Sequence, residues 1–141
     1  MTVQNLVDIV KQVALEQVRL KSFYIGNTWD QAVGKKDNYP NCWFEMPVLV
    51  DYNVQAKLSK SYTFSVNILM FPEMDNPEDE INKISQAEVL ADEFLLYLNQ
   101  YSGINMGNNP TGLSVKSINA DNACGIRIDI EVMTPRECLS D

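Results

Sequence analysis

The sequence contains no histidine. That removes Ser–His and Cys–His nucleophile pairs, the usual neutral base near pH 7, and every zinc site that needs imidazole. Cysteine is scarce: Cys42, Cys124 and Cys138 are odd in number, widely spaced, and form no C-x-x-C pair. This pattern predicts free thiols in a reducing compartment in place of a disulfide framework. Neither a G-x-x-x-x-G-K-S/T loop nor a G-x-G-x-x-G turn is present. No apolar run approaches the ~20 residues of a membrane span. No basic start leads into a hydrophobic block, so the reading predicts no secretory signal. No run of Lys and Arg offsets the net charge of −8. Nucleic-acid binding and docking on anionic membrane both need such a basic footprint. An acidic field gives solubility instead, and repels DNA.

What is present reads as one folded domain spanning residues 1–141, with Pro135 to Asp141 as a tail. At 141 residues, 45% hydrophobic and 21% charged, the chain can bury a real core without staples. The strongest signal is Asn76 to Tyr101. Asn76 can cap a helix, Pro77 suits its first position, and Glu78, Asp79 and Glu80 favour its positive end. Ile84, Ala87, Ala91, Phe94, Leu95 and Leu98 recur at helical spacing and make one apolar stripe. Gly103 lies where a left-handed residue can end the helix. Val89 and Leu96 sit nearly opposite the stripe. They are either stray apolar residues on a solvated face or the mark of a helix covered on a second side.

An earlier amphipathic helix runs from Thr2, its expected cap, to Leu20, with Val3, Leu6, Val7, Val10, Val13, Ala14 and Val18 on one face. Ser22 to Trp29 is a strand candidate, and Asp30 to Asn38 a polar loop. Cys42 to Val54 reads as a strand in which Pro47 marks an edge or a bulge. Ser61 to Phe71 alternates cleanly and forms a hairpin with it. After the central helix, Ser102 to Gly112 reads as a loop and Leu113 to Asn119 as a strand with a bulge. Cys124 to Thr134 is a strong strand, with Ile126, Ile128, Ile130 and Val132 facing one way and Arg127, Asp129 and Glu131 the other. The order is α-β-β-β-α-β-β. It predicts an α+β sandwich of two layers, an antiparallel sheet of four or five strands with both helices on one face.

Few residues suggest chemistry. The acids from Asp75 to Glu80 lack the D-x-D-x-D-G spacing of a calcium loop and read as a helix start. Asp129 and Glu131 imitate a carboxylate pair, but a solvated or partner-facing strand surface explains them. Trp29, Tyr39 and Trp43 bracket the polar loop, as core residues or as anchors between subunits. Cys124 reads as an inert core thiol. No catalytic, cofactor or metal site is expected. The candidate interface residues are Trp29, Tyr39, Trp43, Val89, Leu96, Arg127, Asp129 and Glu131.

Layout and texture carry a resemblance. The first helix, Thr2 to Leu20, precedes a long loop. Asn38-Tyr39-Pro40-Asn41-Cys42-Trp43-Phe44-Glu45 leads into a strand pair. Glu73-Met74-Asp75-Asn76-Pro77 leads to the long helix with Ala87-Glu88-Val89-Leu90-Ala91-Asp92-Glu93. The closing strand is Gly125-Ile126-Arg127-Ile128-Asp129-Ile130-Glu131-Val132. In this layout the chain resembles the tail-completion and tail-terminator proteins of tailed bacteriophages, small α+β proteins at the head–tail joint. The resemblance implies a virion component without catalysis, assembled in the host bacterial cytoplasm. It implies a homo-oligomeric ring, a hexamer or a dodecamer, between the tail tube protein and the connector or neck proteins. DNA would pass through its channel without specific binding, and no membrane is involved. The loops Asp30 to Asn38 and Ser102 to Gly112 are expected to reach neighbours above and below. The strands Ser61 to Phe71 and Cys124 to Thr134 are expected to form the frame and to extend a neighbour's sheet at an exposed edge. The alternatives are a non-enzymatic soluble adaptor or assembly-chaperone-like binding module, and an enzyme that uses carboxylates alone.

Overall fold

The fold is described from a computed structural model over residues 1–26, 36–54, 57–71, 76–101, 103–116, 122–134 and 137–138. Helix α1, Val3–Gln12, starts where Thr2 predicts. The Thr2 hydroxyl accepts the Asn5 N–H at 3.2 Å, and the Asn5 side chain accepts the Thr2 N–H at 2.9 Å. This reciprocal pair satisfies donors that the first turn leaves over. The helix widens into a π turn, Val13–Gln17, where the Val18 N–H reaches back five residues to the Val13 carbonyl at 2.9 Å. It then stops short of Leu20, because Arg19 turns left-handed with φ 66°. Helix α2, Pro77–Gln100, is capped by Asn76, whose side chain accepts the Asp79 N–H at 3.1 Å. Its 24 residues extend about 36 Å. Beyond its end Gly103 has φ +85°, the left-handed region that glycine enters at no steric cost.

The strands are β1 Ser22–Ile25, β2 Asn41–Phe44, β3 Leu49–Val54, β4 Lys57–Met70, β5 Asn105–Met106, β6 Thr111–Val115, β7 Cys124–Met133 and β8 Glu137–Cys138. They form one sheet, with β4 and β7 paired antiparallel from Ser61↔Met133 to Met70↔Cys124. Along the other side of β4 lie β2 and then β3, end to end. Along the other side of β7 lie β5 and β6, also end to end. β1 sits outside β2, and β8 meets the first residues of β4. Among the described residues the sheet is thus five positions wide, although eight segments build it. The class is α+β, as the order of elements predicts.

Besides the early stop of the first helix, three details depart from the sequence reading. Cys42 to Val54 is not one strand, because Glu45 to Val48 interrupts it around a cis Met46–Pro47 bond. Proline has no N–H for a ladder, so β2 and β3 pair with β4 as separate segments. The sheet is mixed, since β1 runs parallel to β2. Finally, the expected loop after α2 contains β5 and the start of β6. The expected bulge near Ile118 lies outside the described residues.

Alternation divides the sheet into two faces. Tyr62, Phe64, Val66 and Ile68 of β4 and Ile128, Ile130 and Val132 of β7 meet both helices in one core. Leu6, Val10 and Val13 enter it from the first helical segment, and Ala87, Ala91, Phe94 and Leu98 from α2. The opposite face carries a smaller cluster at one end, Tyr39, Trp43, Leu69 and Ala123, with Tyr24, Phe71 and Val115 against it. Tyr24 stacks on Trp43 with ring centroids 4.8 Å apart. Gly125 is required where β7 approaches β4, because a Cβ there would lie 1.9 Å from the Ile68 carbonyl oxygen.

Candidate functional site

The residues that could act outwardly fall on three surfaces. The first is the outer side of α2. Val89 and Leu96 are 58% and 63% exposed, and Ile81 lies on the same side at 67%. Around them the helix carries six acids and one lysine. Beside Leu96 an open groove of about 500 Å³ is lined by Leu95, Met106 and Pro110, with Asp92, Asn99 and Asn109 at its polar rim. No second helix covers this stripe among the described residues, and α1 lies on the sheet side of the layer.

The second surface is the helix-free face of the sheet, where Arg127, Asp129 and Glu131 project as their alternation predicts. The geometry joins them to a residue that spacing did not single out. Glu45, just past β2, accepts Arg127 Nε at 2.7 Å and Nη2 at 3.2 Å. Arg127 Nη1 also lies 3.2 Å from Asp129 Oδ1. The Ser65 hydroxyl donates to Asp129, and the Asn67 amide donates to Glu45. Hydrogen bonding to Glu45 holds the Arg127 pKa above its ordinary value, against the pull of burial. Asp129 is therefore the counter-ion of a paired arginine, not half of an acid–base pair with Glu131. Eighty-two residues separate Glu45 from Arg127, so no local signal could link them.

Tyr39 and Trp43 do not reach a surface. Both are buried in the smaller cluster, which corrects their candidacy as anchors between subunits. Strand β2 is buried on both faces, so alternation could not reveal which side Trp43 takes. Trp29 lies outside the described residues. Among those described, the Asn41 amide, Trp43 Nε1 and Asn67 Oδ1 are buried without hydrogen-bond partners.

The third surface is the rim of the sheet. The frame strands β4 and β7 are flanked on both sides, so they cannot extend a neighbour's sheet. Among the described residues the open edges are those of the short β1 and β5 and of the longer β3 and β6. On β3 Leu49, Tyr52 and Val54 are exposed, and on β6 so is Leu113. Sequence reasoning missed both edges because edge position follows from nonlocal pairing.

Cys42 and Cys124 offer no nucleophile. Burial pushes the Cys42 thiol up to about 12. Cys124 rises to about 11, through burial and then the nearby Glu80 and Asp79. Both are free and buried, and both stay protonated at neutral pH, whereas reaction needs the thiolate. Among the described residues no three Cys, Asp or Glu side chains converge on a point that could hold a metal ion. No described helix is long and apolar enough to cross a membrane. No protein-family model matches the chain, and no curated protein matches it.

Proposed function

We propose that the chain is a structural, non-enzymatic subunit of a tailed-phage neck, forming a ring that completes the tail and joins it to the head connector. The observation that carries this reading is the two-layer α+β fold whose sheet rim is open on both sides among the described residues. Such a domain gains by assembly, since unpaired strand edges find their partners in neighbours. The order of elements, which resembles the tail-completion family along most of the chain, supports the same reading. So does the charge of −8. An acidic channel wall repels phosphate and adds no counterion-release affinity, so DNA slides past it. The apolar stripe on α2 suits a different protein of the joint, tube or connector.

A second reading is a soluble adaptor or assembly chaperone, favoured by the groove beside Leu95, Leu96 and Met106. Size exclusion with light scattering separates the two, because a ring has many times the monomer mass. The deciding experiment is genetic. Particles made without this chain should show unjoined heads and tails, or tails of uncontrolled length. Normal infectious particles would overturn the reading.

A further inference from the structure

We infer that copies of this chain assemble by strand addition, with β6 of one subunit pairing antiparallel to β3 of the next. The inference rests on the reading of the chain as a self-assembling subunit and names the surface that does it.

Geometry makes the two edges complementary. Among the described residues β1 pairs only with β2. Beside β3, among the described residues, the same outer position is open for the length of a short strand. β3 has six residues and β6 has five. β3 is antiparallel to β4, β4 to β7, and β7 to β6. A neighbour in the same orientation therefore brings β6 antiparallel to β3, with its helices on the same side. The combined sheet continues without a break.

Side chains select a register. Leu49 and Leu113 are both exposed and both lie on the helix-free face, at opposite rims of the sheet. Tyr52, on the helix face of β3, is 64% exposed, and Gly112 on the helix face of β6 has no side chain. Setting Tyr52 opposite Gly112 lets the ring cover bare backbone, a known way to stabilise an edge glycine. The same register sets Leu49 opposite Val115 and diagonal to Leu113, within reach of an apolar cross-strand pair. It also sets Asn53 opposite Thr111, and all five residues of β6 find partners.

Charge favours this contact over one through the helices. In a chain of net charge −8 two copies repel wherever acids meet. α2 presents six acids against one lysine. β6 carries no charge and β3 only Asp51. A two-fold contact of β3 with β3 would leave β6 open in every copy, whereas head-to-tail pairing uses both edges and can close.

The pairing also fixes how subunits step. Through the ladder, Gly112 is level with Val66 of β4 and Tyr52 with Lys60, so each neighbour shifts by six residues. That is about 20 Å along the strands, against about 19 Å across four strand positions. A closed ring then needs strands inclined at roughly 45° to its axis, close to the tilt of closed barrels.

Paired cysteines test the register. Full-length chains carrying Asn53→Cys with Thr111→Cys, in a Cys138→Ser background, are oxidised at the highest soluble concentration. The expected result is a ladder of covalent oligomers on a non-reducing gel, lost on reduction. Each single variant alone should stay monomeric, and an equal mixture of the two should stop at dimers. Monomer only in the double variant would overturn the proposal, and so would dimers of Asn53→Cys alone. Unchanged thermal melts establish that the variants fold, since both positions are exposed. A ladder alongside normal particles lacking the chain would leave the strand contact standing and refute the neck reading. Neck defects without a ladder would do the reverse.

Discussion

Replacing Phe94 with alanine tests how α2 is held. Phe94 is fully buried, and it enters the same core as Phe64, Ile128 and Leu6. A helix 24 residues long with four fully or nearly buried side chains relies on that stripe, because most helical stability in proteins comes from tertiary packing. Phe94→Ala removes the largest of the four. Loss of transfer energy plus an uncollapsed cavity costs ~3–5 kcal/mol. Domains of this size are stable by roughly 7–15 kcal/mol, so the variant should lose about a fifth or more of its stability. Near the midpoint this is a fall in Tm of about 12–20 °C. Urea unfolding followed by far-ultraviolet circular dichroism is the assay, with an unchanged m-value as the check that both states keep their extent. Val89→Ser, on the exposed side of the same helix, is the control and should move stability by no more than ~0.5 kcal/mol. A loss below ~1 kcal/mol for Phe94→Ala would refute the account of how α2 seats on the sheet.

Three further outcomes are expected. Glu45→Ala should cost more than Arg127→Ala, by roughly 1 kcal/mol, because it also strips the buried Asn67 amide of its bond to Glu45; equal costs in urea titrations would show that Asn67 relaxes freely. The Cys42 thiol, raised to about 12 from an ordinary 9.0, favours the fold fully below pH 9, and that contribution is lost as pH climbs toward 12. Cys42→Ala should therefore flatten the alkaline fall in stability by up to about 1.4 kcal/mol per pH unit, and parallel profiles for variant and parent would contradict the burial of this thiol. If the chain is the proposed neck subunit, Val89→Ser with Leu96→Ser should leave folding and ring mass unchanged by light scattering but weaken capture of the tail tube or connector protein; a drop to monomer mass would move the copy-to-copy contact onto α2.

The sequence made the periodic elements legible because their signals are local. Thr2 and Asn76 cap where their side chains can reach the third amide onward, and the alternation of β4 and β7 is set by burial on one face. Val89 and Leu96 were likewise readable as outward-facing, since their position follows from the angle around one helix. What stayed hidden depends on distant partners. Nothing near Ser22–Ile25 announces that it runs parallel to β2, and two-residue strands such as β5 have no pattern of their own. Alternation through Pro47 looks continuous because Phe44, Val48 and Val50 all pack on the same core, even though the ladder is broken between them. Glu45 became part of the Arg127 network only once β4 stood between them. Trp43 reads from the sequence as a core residue or as an anchor between subunits, because an aromatic next to a polar loop is compatible with both fates, and the structure buries it.

The uneven covering of β4 has a consequence for how the molecule breathes. From Val66 to Leu69 this strand is buried on both faces, between the helix core and the Trp43 cluster. Toward its start it is flanked by β3, whose residues 51–54 are all exposed. Local opening therefore needs little energy at one end of the strand and nearly global unfolding at the other. Amide exchange along β4 should slow by orders of magnitude between Ser59 and Ile68. The loose end is the one beside the open rim, so a neighbour's strand would freeze the part of the sheet that has most freedom to lose.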